Sequence, residues 1–139
     1  MAHDFKRFPE LTNNQMQFYY FDSPHKQIVD SFTATVKRVK DGDTIELEWQ
    51  ERDFKFPLRL AYIAAPELKE QGGIASQKWL ESELLNEEVD IIIDKFNRVG
   101  KWGRLLGRVL FRGMDMGQES LIKGYSIKFE DLNNDIEFR

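Results

Sequence analysis

The sequence predicts an α+β fold that is mainly β, a five-stranded OB-like Greek-key barrel with two to three packed helices. Three observations indicate this fold. Apolar and polar residues alternate in two neighbouring segments, 45–49 and 54–62, as they do in half-buried strands. The predicted elements follow the order three strands, helix, strand pair, helix. The chain has 139 residues, 41% of them hydrophobic, which suffices for one core and is short for two domains.

The first thirty residues show no sustained apolar periodicity. We predict an N-terminal extension of unknown role over residues 1–30 and the barrel domain over residues 31–139. The aromatic run at 18–21 could form a short strand or a strap across the barrel, and the segment could instead mediate assembly. We expect these aromatic side chains, together with Trp79, Met114 and Met116, to pack against the core.

The first two strands are predicted within residues 33–49. They meet at Asp41-Gly42, a dipeptide that tolerates the positive φ of a tight hairpin turn. After this turn, apolar residues alternate with glutamates, as expected for a strand with one buried face. These apolar residues are Ile45, Leu47 and Trp49.

The third strand is predicted over residues 54–62, where every second side chain is apolar. These side chains are Phe54, Phe56, Leu58, Leu60 and Tyr62. Pro57 cannot donate a backbone hydrogen bond, so it indicates an edge, a bulge or a strand start. Arg59 falls between the apolar positions and is expected to project from the opposite face.

A helix is predicted over residues 74–85, after the flexible pair Gly72-Gly73. Its expected inward-facing residues are Ile74, Trp79, Leu80 and Leu84. The rest of the chain is predicted to form a strand, a loop, a strand and a short helix. These elements span residues 89–93, 94–103, 104–111 and 118–123, and Gly124 ends the helix.

The charge balance is mildly acidic, with 20 Lys and Arg residues, 24 Asp and Glu residues and a formal net charge of −4. This balance argues against a protein that coats nucleic acid non-specifically, because such binding needs many cation–phosphate contacts. A local basic band nevertheless stands out, made of Arg98, Lys101, Arg104, Arg108 and Arg112. We therefore expect a basic site on an acidic body.

Two sequence absences bear on the cellular location. There are no cysteines, which fits a reducing compartment. Neither a secretory signal nor an apolar run of about 18 residues is present. We expect a cytoplasmic monomer with no membrane partner.

Asp41 and Asp43 are candidate metal ligands. Two acids separated by one residue can supply one direct and one water-mediated oxygen to a hard cation such as Ca2+. The alternative is a hairpin turn that is simply polar.

Two arginines and a glutamate are candidate catalytic residues. Arg59 offers a planar fork for phosphate, although it could also be a surface ion-pair partner. Glu67, which follows Pro66, could orient or deprotonate a water, or could be an exposed acid near a helix start. Arg104 could meet charge that develops during phosphodiester cleavage while Trp102 faces a base, or both could belong to a basic turn.

In their order and spacing these motifs resemble the staphylococcal nuclease family, also called thermonuclease-like. The likeness covers residues 33–125. It is carried by Val39-Lys40-Asp41-Gly42-Asp43-Thr44, Leu58-Arg59-Leu60, Ala65-Pro66-Glu67 and Lys101-Trp102-Gly103-Arg104. The resemblance implies an OB-like barrel and Ca2+-dependent phosphodiesterase or endonuclease activity, with one divalent ion. It also implies a DNA or RNA substrate that is single-stranded or flexible.

The resemblance implies a role for each site residue. The family's catalytic residues are matched by Arg59, Glu67 and Arg104. The metal positions are matched by Asp43 as a direct Ca2+ ligand, Asp41 as a neighbouring acid and Ala65 through its backbone carbonyl. The substrate-binding positions are matched by Lys101 and Trp102.

Ala64 departs from the family pattern, which commonly has an aspartate at this position. A second direct metal carboxylate is thereby replaced by a methyl group, and cation affinity follows the charge and number of ligands. We expect a nuclease that is weakened or inactivated, either by an introduced substitution or because the chain is a natural binder with little turnover. The alternative function is a non-catalytic OB-fold module that binds single-stranded nucleic acid or a protein.

Overall fold

The structure is a computed structural model that describes residues 3–100 and 103–130. The helices are α1 (Asn13–Tyr19), α2 (Gly73–Leu84) and α3 (Met116–Ile122), and a 3-10 helix at Tyr20–Asp22 continues α1. The strands are β1 (Phe32–Asp41), β2 (Thr44–Glu48), β3 (Phe56–Leu60), β4 (Ile63–Ala64), β5 (Glu88–Ile92), β6 (Leu105–Phe111), β7 (Met114–Asp115) and β8 (Ile127–Lys128).

Five strands close into a barrel, which confirms the predicted α+β, OB-like fold. Antiparallel pairing gives the order β3-β2-β1-β5-β6, and a parallel pairing of β3 with β6 closes the sheet. Closure removes the unpaired edges that an open sheet of this size would expose. The core inside it includes Val36, Leu47, Leu58, Ile91 and Val109.

The β1–β2 hairpin turns at Gly42-Asp43, with Asp41 paired to Thr44. The predicted reason for the glycine is wrong, because Gly42 does not adopt a positive φ. A Cβ on Gly42 would instead lie 1.9 Å from Oγ of Ser76, on α2, and 2.7 Å from Cβ of Ala65. Glycine is required here because helix α2 approaches the turn too closely for any side chain.

Strand β3 buries Phe56, Leu58 and Leu60 and leaves Arg59 half-buried between them, as the alternation predicts. The strand ends earlier than expected, at Leu60. Tyr62 has a φ of 70° and is 57% exposed, so it does not continue the apolar stripe. A left-handed conformation is rare for an aromatic residue and breaks the alternation of a strand.

Helix α2 packs on the barrel through Leu80 and Leu84, as predicted. Ile74 does not face inward, since it is 58% exposed in the first turn. Trp79 is half-buried and stacks on Tyr125, with ring centroids 5.2 Å apart. The helix is therefore fixed by leucines from one side and by an aromatic pair from another.

Helix α3 begins at Met116, two residues before the predicted start. Asp115 is its N-cap, and its Oδ1 accepts hydrogen bonds from the backbone amides of Gly117 and Gln118. Met114 lies in the short strand β7 and is 45% exposed, so the expectation that it packs in the core is wrong.

The aromatic run near the N-terminus is helical, so the strand, one of the two alternatives for it, is wrong. A capping box between Thr12 and Gln15 starts α1. Phe18 and Phe21 are 73% and 97% exposed, so they are not packing residues. The segment is nevertheless attached to the barrel, because Leu11 is fully buried.

None of the helices in the described residues has both the length and the apolar character needed to cross a bilayer.

Candidate functional site

The acidic pair lies at the β1–β2 turn, where the backbone holds the two carboxylates together. The amide of Asp43 donates to Oδ1 of Asp41 over 3.1 Å. The amide of Ala65, just after β4, donates to Oδ2 of Asp43 over 2.9 Å. The turn and the end of β4 therefore meet at the Asp43 side chain, which is largely buried.

Arg59 reaches the same carboxylate from β3. Its Nη2 lies 3.3 Å from Oδ2 of Asp43, and its side chain is only 15% exposed. Its guanidinium also lies over the ring of Phe129, 5.1 Å from the centroid. The antiparallel pairing of β2 with β3 sets this contact, because it places Thr44 opposite Arg59.

Arg104 approaches from the start of β6, which runs parallel to β3. Its Nη1 donates to Oγ1 of Thr44 over 3.3 Å, and this hydroxyl donates to Oδ1 of Asp43 over 3.0 Å. One threonine therefore links Arg104 to the carboxylate that Arg59 contacts directly. These hydrogen bonds hold both guanidinium groups near the Asp43 side chain.

Burial is the main reason that the pKa of Asp43 is raised from 3.8 to about 6. A hydrogen bond with the Asp41 side chain raises it further, whereas the Ala65 amide and the Arg59 charge lower it. At neutral pH the carboxylate is mostly ionised but readily protonated in mild acid.

A cavity of about 760 Å³ opens beside the arginines. Its polar and aromatic lining includes Arg59, Arg104, Tyr62, Asn97, Lys128 and Phe129. A smaller cavity of about 240 Å³ adjoins it and shares Ala61, Tyr62, Asn97 and Leu106. The site is thus a groove with cations at one side and aromatic rings near them.

Glu67 is not brought into this cluster. Its side chain is exposed. Its backbone amide donates to Oε1 of Glu70 over 2.8 Å. Where the structure describes the chain, no hydrogen bond or ion pair joins the Glu67 carboxylate to Arg59, Arg104 or Asp43. Lys101 and Trp102 lie outside the described residues.

The basic band predicted from the sequence is not one surface. Arg98 is 3% exposed and points into the protein. Nε of Arg108 pairs with Oδ2 of Asp115 over 2.9 Å. Among the described residues, the cations that line the groove are Arg59, Arg104 and Lys128, and the sequence places the two arginines in different motifs.

Thr44 and Phe129 are the site residues whose roles the sequence did not indicate. Thr44 stands in the Asp-Gly-Asp-Thr motif, but its hydroxyl link between Arg104 and Asp43 depends on the closure of the barrel. No local pattern around Phe129 connects it to Arg59. Both roles depend on contacts between segments that are distant in the chain. The spacing of apolar residues along the sequence gives no information about such contacts.

The donor set for a metal ion is small. Among the described residues, no group of three or more Asp, Glu, His or Cys side chains is placed to hold one. Asp41 and Asp43 are the carboxylates of the cluster, and Ca2+ usually takes six to eight oxygens. Ala64, in β4, is 5% exposed and supplies no oxygen from its side chain. The described side chains therefore supply few of the oxygens that Ca2+ usually takes.

The chain matches no protein-family model, and no curated protein matches it either.

Proposed function

We propose that this protein is a phosphodiester-cleaving enzyme of the nuclease type, acting on DNA or RNA, whose metal affinity is weakened at Ala64. The single observation that carries the proposal is the convergence of Arg59 and Arg104 on Asp43, directly and through Thr44, beside an open groove. Two arginines fixed near one acidic group suit a phosphate better than they suit a structural role, since a single carboxylate needs only one of them.

The chemistry follows from where charge develops. Phosphodiester cleavage gathers negative charge on the non-bridging oxygens, so donors fixed near these oxygens stabilise the transition state more than the ground state. Arg59 is held by Asp43 and Arg104 by Thr44, and little reorganisation is needed when the charge appears. The aromatic rings of Tyr62 and Phe129 offer faces to bases in flexible or single strands.

Asp41, Asp43 and the carbonyl of Ala65 would hold the divalent cation, for which we propose Ca2+. A bound cation would add Lewis-acid stabilisation of the same developing charge. Because Asp43 also accepts hydrogen bonds from protein donors, its oxygens are partly engaged before any ion binds. An aspartate in place of Ala64 would add the missing charge next to the Ala65 position.

Glu67 is the proposed residue for orienting the attacking water. Its exposed side chain can change rotamer when substrate binds, and hydrogen bonds of catalytic groups often tighten only in the substrate complex. On this proposal Glu67 turns toward the groove when a strand occupies it.

The test is cleavage of a fluorescent single-stranded DNA in Ca2+ and in chelator. The parent chain is compared with Ala64→Asp, and Ala64→Asn serves as a control of matched size without the charge. We expect Ala64→Asp to cut in Ca2+ only, and faster than both other proteins. If folded Ala64→Asp cuts neither DNA nor RNA in Ca2+, the nuclease proposal is wrong.

A second candidate is a non-catalytic module that binds single-stranded nucleic acid. The exposed position of Glu67, apart from both arginines, favours this candidate. Fluorescence anisotropy with the same oligonucleotide in chelator distinguishes the two functions. Submicromolar binding that survives chelator, with no cutting by Ala64→Asp, would establish the module.

A further inference from the structure

The segment between β5 and β6 carries Arg104 at its end. Two backbone hydrogen bonds join the middle of this segment to its end and to the start of β6: the amide of Gly100 donates to the carbonyl of Arg104 over 2.7 Å, and the amide of Leu106 donates to the carbonyl of Arg98 over 2.8 Å. The backbone on either side of Arg104 is therefore tied to Arg98 through Leu106 and to Gly100 through the Arg104 carbonyl.

Arg98 is buried against the N-terminal segment. Its Nε donates to the carbonyl of Ile28 over 2.7 Å, and its Nη1 donates to the carbonyl of Leu11 over 2.9 Å and to Oδ1 of Asn13 over 3.1 Å. All three partners belong to residues that precede β1. A buried guanidinium with these acceptors holds two separate parts of that segment at once.

The same segment contacts the β5–β6 connection at two further points. Near its start, Nδ2 of Asn13 donates to the carbonyl of Lys95 over 3.0 Å. Near its end, a Cβ on Gly103 would lie 2.8 Å from Cδ1 of Phe8, and Gly103 has a φ of 74°. Phe8 thus packs directly on the residue that precedes Arg104.

A buried ionic cluster lies behind these contacts. Glu10 is 3% exposed and pairs with Arg52, which also donates to the carbonyl of Lys26 over 3.0 Å. Arg52 lies over the ring of Phe56, in the barrel wall, at 4.6 Å from the centroid. Detaching Glu10 would leave buried cations without their carboxylate, which is strongly unfavourable. The N-terminal segment is therefore held firmly to the barrel.

We propose that residues 8–30, here called the clamp, position Arg104 by holding the β5–β6 connection. Two residues transmit this contact: Phe8, in the clamp, and Arg98, in the connection. Arg98 fixes the connection at its middle, and Phe8 fixes the backbone next to Arg104. The catalytic part of this inference rests on the proposed function, because it takes Arg104 to be the group that meets the phosphate. The mechanical part does not.

The mechanical part is tested by hydrogen exchange at the amides of Gly100, Gly103 and Leu106, which donate to carbonyls of the connection. The variants are Arg98→Lys, which keeps the charge and loses the fork, and Phe8→Ala. Arg112→Lys is the matched control, at an exposed arginine outside the clamp. We expect at least tenfold faster exchange at these three amides in both variants, an unchanged rate in the control, and a smaller increase at the barrel amide of Val36.

The catalytic part is tested by steady-state kinetics of the same substitutions on the Ala64→Asp background. A displaced Arg104 loses mainly transition-state contacts, so kcat should fall about tenfold or more while KM changes less than about twofold. The Nε–H resonance of Arg104 should shift in both variants and not in Arg112→Lys, whether or not the protein cuts.

The outcomes separate the two levels. Unchanged exchange and an unchanged Arg104 resonance in folded Arg98→Lys and Phe8→Ala would overturn the clamp, even if Ala64→Asp cuts DNA. Faster exchange with an unchanged kcat would overturn the positioning role. If Ala64→Asp does not cut, the proposed function fails, and the exchange and resonance data still decide whether the clamp exists.

Discussion

The carboxylate of Asp43 accepts hydrogen bonds from Ala65, Arg59 and Thr44, and it lies beside Asp41. This arrangement partly compensates the burial of a charge without abolishing its penalty, which is why the pKa is raised. A cation bound here would offset both the burial penalty of the Asp43 charge and its repulsion from Asp41.

Asp43 should make stability depend on pH between its unfolded and folded pKa values. The folded state binds the proton more tightly, so the stabilising contribution is complete below pH 3.8 and is lost as the pH rises through about 6. Asp43→Asn removes the buried charge and should therefore raise the free energy of unfolding at pH 8 by about 1 to 3 kcal/mol, with little effect at pH 3.5. Urea unfolding in chelator at the two pH values measures this, and an equal effect at both would contradict it.

Arg59 and Arg104 should each contribute to transition-state stabilisation. On the Ala64→Asp background, Arg59→Ala or Arg104→Ala should lower kcat/KM. The loss of transition-state stabilisation should be about 3 to 4 kcal/mol, the range of a preorganised charged donor. Arg112→Ala removes an exposed arginine outside the groove and should leave the rate unchanged. If Arg59→Ala or Arg104→Ala has the same kcat/KM as Ala64→Asp alone, that arginine has no part in the mechanism.

At the scale of elements, the site depends on how closely helix α2 approaches the β1–β2 turn. Oγ of Ser76 donates to the carbonyl of Tyr125 over 2.8 Å and occupies the space next to Gly42. The turn that carries both aspartates is therefore fixed from behind by the helix. A larger residue at the glycine would move the turn, the helix or both.

Gly42→Ala should destabilise the fold through overpacking, by about 1 to 3 kcal/mol. Gly113→Ala is a useful comparison, because a Cβ there meets nothing within 4 Å and only its φ of 80° is strained; its loss should be about 1 kcal/mol. Ser76→Gly should recover part of the Gly42→Ala loss in a double variant. Chemical denaturation measures all three, and additive effects of Gly42→Ala and Ser76→Gly would argue against the contact.

At the scale of the whole molecule, the N-terminal segment shares the core of the barrel. Ile28 belongs to the barrel's cluster of buried residues, and Leu11 is fully enclosed. The boundary between an extension at 1–30 and a domain at 31–139 stays a prediction from the sequence. The burial of these two residues indicates that both parts should unfold together.

Leu11→Ala should lower the free energy of unfolding of the entire protein by about 2 to 5 kcal/mol, as expected for a buried leucine. Phe18→Ala, at a side chain that is 73% exposed, should change it by less than about 0.5 kcal/mol. Denaturation followed by circular dichroism and by tryptophan fluorescence should give one coincident transition for each variant. A separate early transition in Leu11→Ala would show that the segment unfolds independently.

The sequence by itself determined the elements whose signal is local. The alternation in β2 and β3 and the leucine spacing in α2 report a period of two or 3.6 residues, and each was predicted correctly. The burial of Ile74 and Tyr62 was predicted wrongly. At the end of an element, the burial of a single residue depends on what lies next to it in space, and the period of the element does not report this.

Tertiary structure decided the rest. The parallel pairing of β3 with β6, the Thr44 link, the approach of α2 to Gly42 and the inward direction of Arg98 all join segments far apart in the chain. Side-chain periodicity specifies which face of an element is buried, but it carries no information about what that face meets. The direction of a long, charged side chain such as that of Arg98 is set by the acceptors that folding brings within its reach.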